Sequence, residues 1–359
     1  MCTYIEFNWV NIFFCQKFIY IKPQFNFYKF YSETWRNFSL FGILKDFLVR
    51  VKDFFVRSPA RKRRYLEHLR LHGISSPCKI PLPVATRWNS WFEMVDYTRR
   101  HLPYWSSFFQ DELAKDQSND TLKKITNNLF NPYEFGVISI YIHFISVHAR
   151  QFIQDTNFFQ QQNKPVFSFI ERRLYHLNAF LQSNCNSSDF GSEIDLTIIS
   201  HNFNPSDFYP TFCAAFEAAL NKFNAHIPSH PARPLFHAAQ IFDPKFILLG
   251  PLERKNLRQY KSIKELENPS DELINEWAIY CGMQTDDLIG EINLNEYWIN
   301  IKDQLPILSE IALEYIWLPI SSCSVERSFS IYNNILDSNR QNLSETSLKT
   351  LNMMYNNSS

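Results

Sequence analysis

Glycine is scarce in this sequence, with 7 residues in a chain of 359. None of them forms the GxGxxG pattern of a dinucleotide-binding turn or the GxxxxGK[ST] pattern of a phosphate-binding loop. Both patterns depend on glycine because the backbone must approach the phosphates closely. The scarcity therefore argues against a nucleotide-driven enzyme.

Net charge is also absent, since Lys+Arg and Asp+Glu each number 36. No overall field attracts nucleic acid, so any DNA-binding surface has to be a local patch. The seven cysteines are scattered, with no CxxC pair and no histidine at zinc-finger spacing. An odd and dispersed set of cysteines is typical of a reducing compartment.

Two further classes of protein lack support. Charged residues such as Glu6 and Lys17 interrupt the early apolar runs well before the ~20 residues that a membrane helix needs. The start also lacks the basic region and the small-residue cleavage site of a signal peptide. His143 and His148 are five residues apart, which is not the i, i+4 spacing of helical metal ligands, and no serine or cysteine triad has supporting spacing. We therefore expect an intracellular protein with no membrane partner and no metal site, and we reject a hydrolase.

The apolar content, 45% of the residues, is enough to bury a sizeable core. Residues 1–43 are rich in Phe, Tyr, Ile, Asn and Lys without a regular period, as in translated AT-rich DNA or an aromatic-rich edge strand. From Leu44 to Pro59 the apolar spacing is helical, and a basic helix then ends at Gly73.

The rest of the chain predicts helices almost throughout. After the short proline-rich segment around Pro81, a helix is expected from Asn89 to about His101. Residues 102–297 alternate helical patterns with polar connectors and show no repeat period, which favours one all-α domain over a solenoid. Further on, Pro319 should break a helix, and two short amphipathic helices follow. Their apolar faces comprise Val325, Phe329 and Tyr332 in the first helix and Leu348, Leu351 and Tyr355 in the second.

The segment from Leu318 to Asn357 carries an ordered set of motifs. A proline and two serines precede the ERSFS run that starts at Glu326, and an Arg-x-x-Leu element from Arg340 to Leu343 precedes the final apolar helix. In content, order and spacing this segment resembles the C-terminal dimerisation region of hAT superfamily DNA transposases. Two upstream elements are similar to further hAT motifs in the correct order: PVATRWNSW, residues 83–91, and HAAQIFDPKF, residues 237–246.

The resemblance implies a mainly α chain that keeps a remnant of an RNase H-like α/β core interrupted by a large all-α insertion domain. Residues 44–101 would be the core remnant, 102–297 the insertion domain and 298–359 the dimerisation region, with 1–43 outside the family. The family's upstream strands, with two catalytic aspartates and a Cys/Asp-x-x-His element, are not visible. We therefore expect an N-terminally truncated relative.

The resemblance makes Glu326 the third metal-binding carboxylate of the family. Strand cleavage by such a site needs two divalent cations ~4 Å apart, held by about three carboxylates. Asp46 and Asp53 are poor candidates for the others because they lie on a helix-patterned stretch. Glu326 would then act only as a first-turn acid of its helix. We expect no catalytic activity and no cofactor, with Mg²⁺ required only by a complete site.

Two groups of residues are candidates for DNA contact. Arg87 and Trp88 match the family's Arg-Trp pair, whose Trp is expected to stack on an unpaired base, although a core role for Trp88 is equally open. The basic run Arg61, Lys62, Arg63 and Arg64 suits phosphate contacts or nuclear import, and otherwise forms a solvated helix face.

Three functions follow from these observations. The first is an inactive transposase-derived nuclear protein that acts through homodimerisation or higher association, with residual DNA binding. The second is a fragment of an active hAT transposase whose catalytic aspartates lie upstream. The third is a domesticated DNA-binding regulator. The absence of a zinc-binding module of the BED type argues against specific recognition of transposon ends.

Overall fold

A computed structural model describes residues 39–56, 58–83, 89–161, 163–284, 290, 292–318 and 320. These residues form thirteen α-helices and five short 3-10 turns, and they contain no strand. The prediction of a mainly α chain is confirmed, whereas the RNase H-like remnant stays a prediction. The helices are α1 Ser39–Val56, α2 Pro59–Leu71, α3 Asn89–Lys115, α4 Asp120–Phe130, α5 Pro132–Phe159, α6 Ile170–Cys185, α7 Ser192–Ser200, α8 Pro205–His226, α9 Arg233–Ala239, α10 Pro244–Leu248, α11 Asp271–Cys281, α12 Leu294–Asn300 and α13 Pro306–Ile316. The 3-10 turns are Phe167–Phe169, Gln240–Phe242, Leu252–Lys255, Leu257–Tyr260 and Lys264–Leu266.

The chain divides into two compact units. Among the described residues, the first unit comprises 39–154 and Tyr175–Pro228, and the second comprises Asp155–Leu174 and 229–320. The domain boundaries expected after residues 43, 101 and 297 come from motifs and stay a prediction.

The N-terminal helices of the first unit follow the expected pattern. One face of α1 is buried at i, i+3, i+4 and i+7 positions, including Leu44, Phe47 and Val51. The basic helix α2 begins after Ser58, whose hydroxyl accepts a hydrogen bond from the backbone N–H of Arg61. It ends before Gly73, whose φ of +83° is the conformation that favours glycine after a helix.

Helix α3 is longer than the sequence pattern indicated. We expected it to end at about His101, but it continues to Lys115 with Pro103 inside. Proline disfavours a helix interior because it removes one hydrogen bond and crowds the preceding turn. Here Trp105 and Phe109 beyond the proline are fully buried against the core, and the Trp105 indole N–H donates to the Tyr65 hydroxyl at 2.7 Å. Tertiary packing thus outweighs the local cost of the proline.

Aromatic contacts join α5 to α8 in the first unit. The rings of Phe144 and Phe212 stack at 3.8 Å, and Phe190 packs edge-on against both. Gly136 lets α5 approach its neighbours closely, because a Cβ there would lie 2.7 Å from a ring carbon of Phe203.

In the second unit, the FDPK motif has a local structural role. The carboxylate of Asp243 caps α10 by accepting a hydrogen bond from the Lys245 backbone N–H at 3.1 Å, and Pro244 occupies the first helical position. Burial raises the pKa of Asp243 and outweighs the opposing effect of Arg172, whose guanidinium is 3.6 Å away. None of the helices described has the length and apolar character needed to cross a membrane.

Candidate functional site

Most of the residues predicted to act in DNA contact, catalysis or dimerisation lie outside the described residues. The structure does describe the basic run on α2 and the first part of the C-terminal region, up to residue 320. The predicted residues outside the description are Arg87, Trp88, Val325, Glu326, Phe329, Tyr332, Leu348, Leu351 and Tyr355.

Two of the four basic side chains on α2 are engaged within the first unit. The guanidinium of Arg61 lies over the ring of Phe54, 4.3 Å from its centroid, and donates to the Phe54 carbonyl at 3.2 Å. The guanidinium of Arg64 binds Glu112 on α3 through two hydrogen bonds, one of them 2.7 Å long. Glu112 is buried, with 3% of its side chain exposed.

The Arg64–Glu112 pair is a salt bridge that joins α2 to α3. Burial acts to raise the pKa of Glu112, but hydrogen bonds from Arg64 and Lys115 outweigh it and lower that pKa. The hydrogen bond to Glu112 raises the pKa of Arg64 in turn. A buried carboxylate needs such partners because an uncompensated charge is costly in the interior. Arg64 is therefore committed to the fold.

The other two side chains of the basic run, Lys62 and Arg63, remain available to contact a ligand. Arg63 is exposed and Lys62 is half-buried. Neither side chain has an ion-pair or hydrogen-bond partner within the part of the chain that the structure describes. Arg70, the penultimate residue of α2, is exposed but pairs with Glu67 at 2.9 Å. The basic surface of α2 thus centres on Lys62 and Arg63.

Asp46, Asp53, His143 and His148 lie on helices of the first unit. Asp46 and Asp53 are exposed on α1, where Asp46 pairs with Arg50 at 3.4 Å. His143 of α5 contacts the Thr197 hydroxyl at 2.8 Å, and His148 of the same helix contacts the Phe190 carbonyl at 3.2 Å. Within the described ranges, no group of three or more His, Cys, Asp or Glu side chains could hold a metal ion.

A buried carboxylate organises the C-terminal helices of the second unit. Glu276 of α11 is 8% exposed, and its two oxygens accept hydrogen bonds from the backbone N–H groups of Ile307 and Leu308 at 3.1 and 2.7 Å. These N–H groups belong to the first turn of α13. The N-cap residue of that helix, Leu305, has an apolar side chain that cannot accept a hydrogen bond from them. No sequence pattern singles out Glu276, although the apolar residue at the N-cap position of α13 is a signal that a distant acceptor is needed.

Aromatic side chains fasten the same helices to the preceding segment. The Trp298 indole donates to the Phe242 carbonyl and the Tyr280 hydroxyl to the Ile241 carbonyl, both at 2.9 Å. Both side chains are fully buried, and their ring centroids are 5.1 Å apart. Each ring therefore supplies apolar packing while its polar tip satisfies a buried carbonyl.

Apolar side chains remain exposed on this helical group. The exposed fractions of Ile299 and Trp317 are 52% and 42%. The Trp317 indole donates to the Asn295 amide oxygen at 2.9 Å. Because Ile299 follows Asn295 by one helical turn, it shares that face of α12. Ile279 and Ile307 are also exposed, at 46% and 37%.

The C-terminal region matches the model of a known protein family. Residues 275–358 match the family model described as the hAT family C-terminal dimerisation region. The match begins at α11, upstream of the boundary expected at residue 298, and includes Glu276 and all four exposed apolar residues. No curated protein matches the chain. Residues 275–358 of this protein are therefore similar to the C-terminal dimerisation region of hAT transposase-type proteins.

Proposed function

We propose that this protein acts by self-association through residues 275–358. The match of this region to the hAT dimerisation region is the observation that carries the proposal. The exposure of Ile279, Ile299, Ile307 and Trp317 supports it, because all four belong to the matched region and are apolar. Apolar surface left exposed in this way favours association.

The proposed contact surface has two parts: a base, which is the helical group α11–α13, and a tail, which is the following segment with the two apolar helix faces predicted from the sequence. The base is held together by the Glu276 cap and the Trp298 and Tyr280 anchors. The tail contributes the apolar faces predicted from the sequence, with Phe329 and Leu351 at their centres. A rigid base favours binding because less conformational entropy is lost when the partner docks.

Light scattering on the full chain at tens of micromolar tests self-association. We expect a dimer or larger assembly, since an interface of ordinary size assembles in this concentration range. Phe329→Glu and Trp317→Lys should each shift the protein toward monomer. Leu252→Lys is the matched control, because Leu252 is 78% exposed and lies outside residues 275–358. A full chain that stays monomeric would refute the proposal.

A residual affinity for DNA in the nucleus is the second part of the proposal. Lys62 and Arg63 support it, because they are basic neighbours on α2 without partners in the described part of the chain. Phosphate contacts of this kind give sequence-tolerant binding that weakens as salt increases. Fluorescence anisotropy with a duplex should show weaker binding for the Lys62→Ala, Arg63→Ala double variant than for Lys124→Ala, an exposed lysine of the same unit. Equal affinities would remove α2 from consideration.

We also propose that the chain itself does not cut DNA. The support is that the sequence supplies Glu326 but no recognisable pair of catalytic aspartates. Incubation of supercoiled plasmid with the protein and Mg²⁺ or Mn²⁺ should leave the plasmid uncut. Metal-dependent nicking that Glu326→Gln abolishes would instead favour an active transposase.

A further inference from the structure

Two histidines lie four residues apart at the C-terminal end of α2. His68 is in the last turn of the helix, and His72 is its C-cap residue. Residues at this spacing lie on the same face of a helix, and it is the spacing with which a helix presents two histidines to one zinc ion. The argument against a metal at His143 and His148, which are five residues apart, therefore does not apply to this pair.

The rings of His68 and His72 lie close together. Their centroids are 4.2 Å apart, and their planes are inclined by 38°. Two nitrogen ligands of one tetrahedral Zn²⁺ ion are roughly 3–3.5 Å apart, because each Zn–N bond is about 2.0–2.1 Å long. Since a ring nitrogen lies off the ring centre, this centroid separation can bring one nitrogen of each ring to that distance. The exposed side chain of His72 can adjust to complete the approach.

Hydrogen bonds determine which nitrogen of each ring carries a lone pair. Nε2 of His68 is 3.1 Å from the Tyr104 carbonyl oxygen, and Nδ1 of His72 is 2.8 Å from the His68 carbonyl oxygen. A carbonyl oxygen only accepts, so both of these nitrogens carry a hydrogen. The Ser107 hydroxyl, 3.2 Å from Nε2 of His68, can itself donate to the Tyr104 carbonyl and leaves this assignment unchanged. In the neutral rings the lone pairs are therefore on Nδ1 of His68 and Nε2 of His72.

The surroundings of the pair suit a bound cation. His68 is 8% exposed and packs against Phe108 of α3, with ring centroids 5.5 Å apart, so its ring is held in place. Metal-binding histidines usually donate their second ring N–H to a carbonyl or a carboxylate, as both of these rings do. The C-terminal end of a helix also carries a partial negative charge, which favours a cation there. The pair thus offers one fixed ligand and one ligand that an ion can reach from solvent.

We propose that His68 and His72 bind one divalent transition-metal ion of the kind that prefers imidazole: Zn²⁺, Ni²⁺ or Cu²⁺. The ion would bind Nδ1 of His68 and Nε2 of His72, with water as its other ligands. Two protein ligands give an exchangeable site, unlike the closed four-ligand site of a zinc finger. Mg²⁺ prefers oxygen ligands, so this site is distinct from a nuclease centre built from carboxylates. Its role would be to stabilise the end of α2 where His68 contacts α3.

Calorimetric titration of the untagged full chain with Zn²⁺ tests the site. Other histidines and the cysteines can also bind Zn²⁺, so variants are compared under the same conditions. His72→Ala should weaken the binding of one Zn²⁺ equivalent at least about tenfold, the smallest loss usual when a metal site is disturbed. His176→Ala is the matched control, because His176 is exposed on α6 of the same unit and has no histidine three or four residues away. Mg²⁺ should show no binding that depends on His72.

Two further measurements do not depend on the calorimetric affinity. Zn²⁺ should raise the melting temperature of the parent protein and of His176→Ala more than that of His72→Ala, because an ion that binds only the folded state stabilises it. In ¹⁵N NMR spectra of the histidine rings, Zn²⁺ should shift Nδ1 of His68 and Nε2 of His72. Circular dichroism verifies that both variants are folded. Zn²⁺ binding unchanged in His72→Ala, an equal loss in His176→Ala, or a hydrogen on Nδ1 of His68 would overturn the proposal.

Discussion

The carboxylate of Glu276 accepts a hydrogen bond from the backbone N–H of Leu308 at 2.7 Å, 32 residues along the chain. With the second bond, from Ile307, this contact caps α13 from a neighbouring helix. The start of a helix carries a partial positive charge and unpaired N–H groups, so a carboxylate satisfies both needs. Glu276 thereby links α11 to α13 inside the region that matches the hAT dimerisation model.

Glu276→Gln should lower the free energy of unfolding by about 1–2 kcal/mol, because it replaces a charge-assisted cap with a neutral group. Urea unfolding monitored by circular dichroism gives the value. Glu310→Gln is the matched control, since Glu310 is exposed on α13, and it should change stability by less than about 0.5 kcal/mol. Equal effects of the two substitutions would contradict a capping role.

Arg64→Ala should destabilise the protein, whereas Arg63→Ala, at the neighbouring position on α2, should not. Arg64→Ala leaves the buried Glu112 with Lys115 alone, so we expect a loss of about 1–3 kcal/mol, moderated because the Arg64 side chain is 43% exposed. Arg63→Ala should leave stability within about 0.5 kcal/mol. Thermal and urea unfolding of both variants provide the comparison. If the two variants are equally stable, Arg64 does not anchor α2.

His230 should make stability depend on pH. Burial, with the nearby charge of Arg233, lowers the pKa of His230 from 6.5 to about 4. Its Nδ1 accepts a hydrogen bond from the Ala232 backbone N–H at 3.1 Å, which requires that nitrogen to be unprotonated. Between pH 6.5 and about 4 the unfolded chain takes up a proton that the folded chain does not, so stability falls as pH decreases through this window.

The test of this pH dependence is His230→Asn, which retains an acceptor but does not titrate. The variant should lose less stability than the parent protein between pH 6.5 and 4, measured by urea unfolding at each pH. Titration of the His230 ring by NMR should give a midpoint well below 6.5. A midpoint near 6.5, or identical pH profiles for the two proteins, would count against the prediction.

Gly136→Ala and Gly42→Ala should have opposite effects, although both glycines lie within helices. A Cβ at Gly136 would meet the ring of Phe203 at 2.7 Å, whereas one at Gly42 meets no described atom within 4 Å. We expect Gly136→Ala to destabilise the protein by about 1–3 kcal/mol and Gly42→Ala to stabilise it by about 0.5–1 kcal/mol. Denaturant unfolding of both variants tests these expectations. A stabilising Gly136→Ala would contradict them, because it would show that the surroundings of α5 accommodate the added methyl group.

Much of the local helical structure could be predicted from residue patterns alone. The helical spacing from Leu44 and the stop of α2 at Gly73 depend on neighbouring residues, so they could be predicted without a structure. The motif around Glu326 also predicted the dimerisation region that the family match supports. The end of α3 was not predictable, because the burial of Trp105 and Phe109 that carries the helix past Pro103 depends on distant side chains.

The roles of individual charges were decided by tertiary structure. In sequence, Arg63 and Arg64 are equivalent members of one basic run, and only the position of Glu112 on α3 commits Arg64 to the fold and leaves Arg63 exposed. Glu276 likewise has no sequence pattern that relates it to the start of α13, about 30 residues further along the chain. Periodicity and caps are properties of adjacent residues, whereas an ion pair or a distant cap exists only once packing has brought separate segments together.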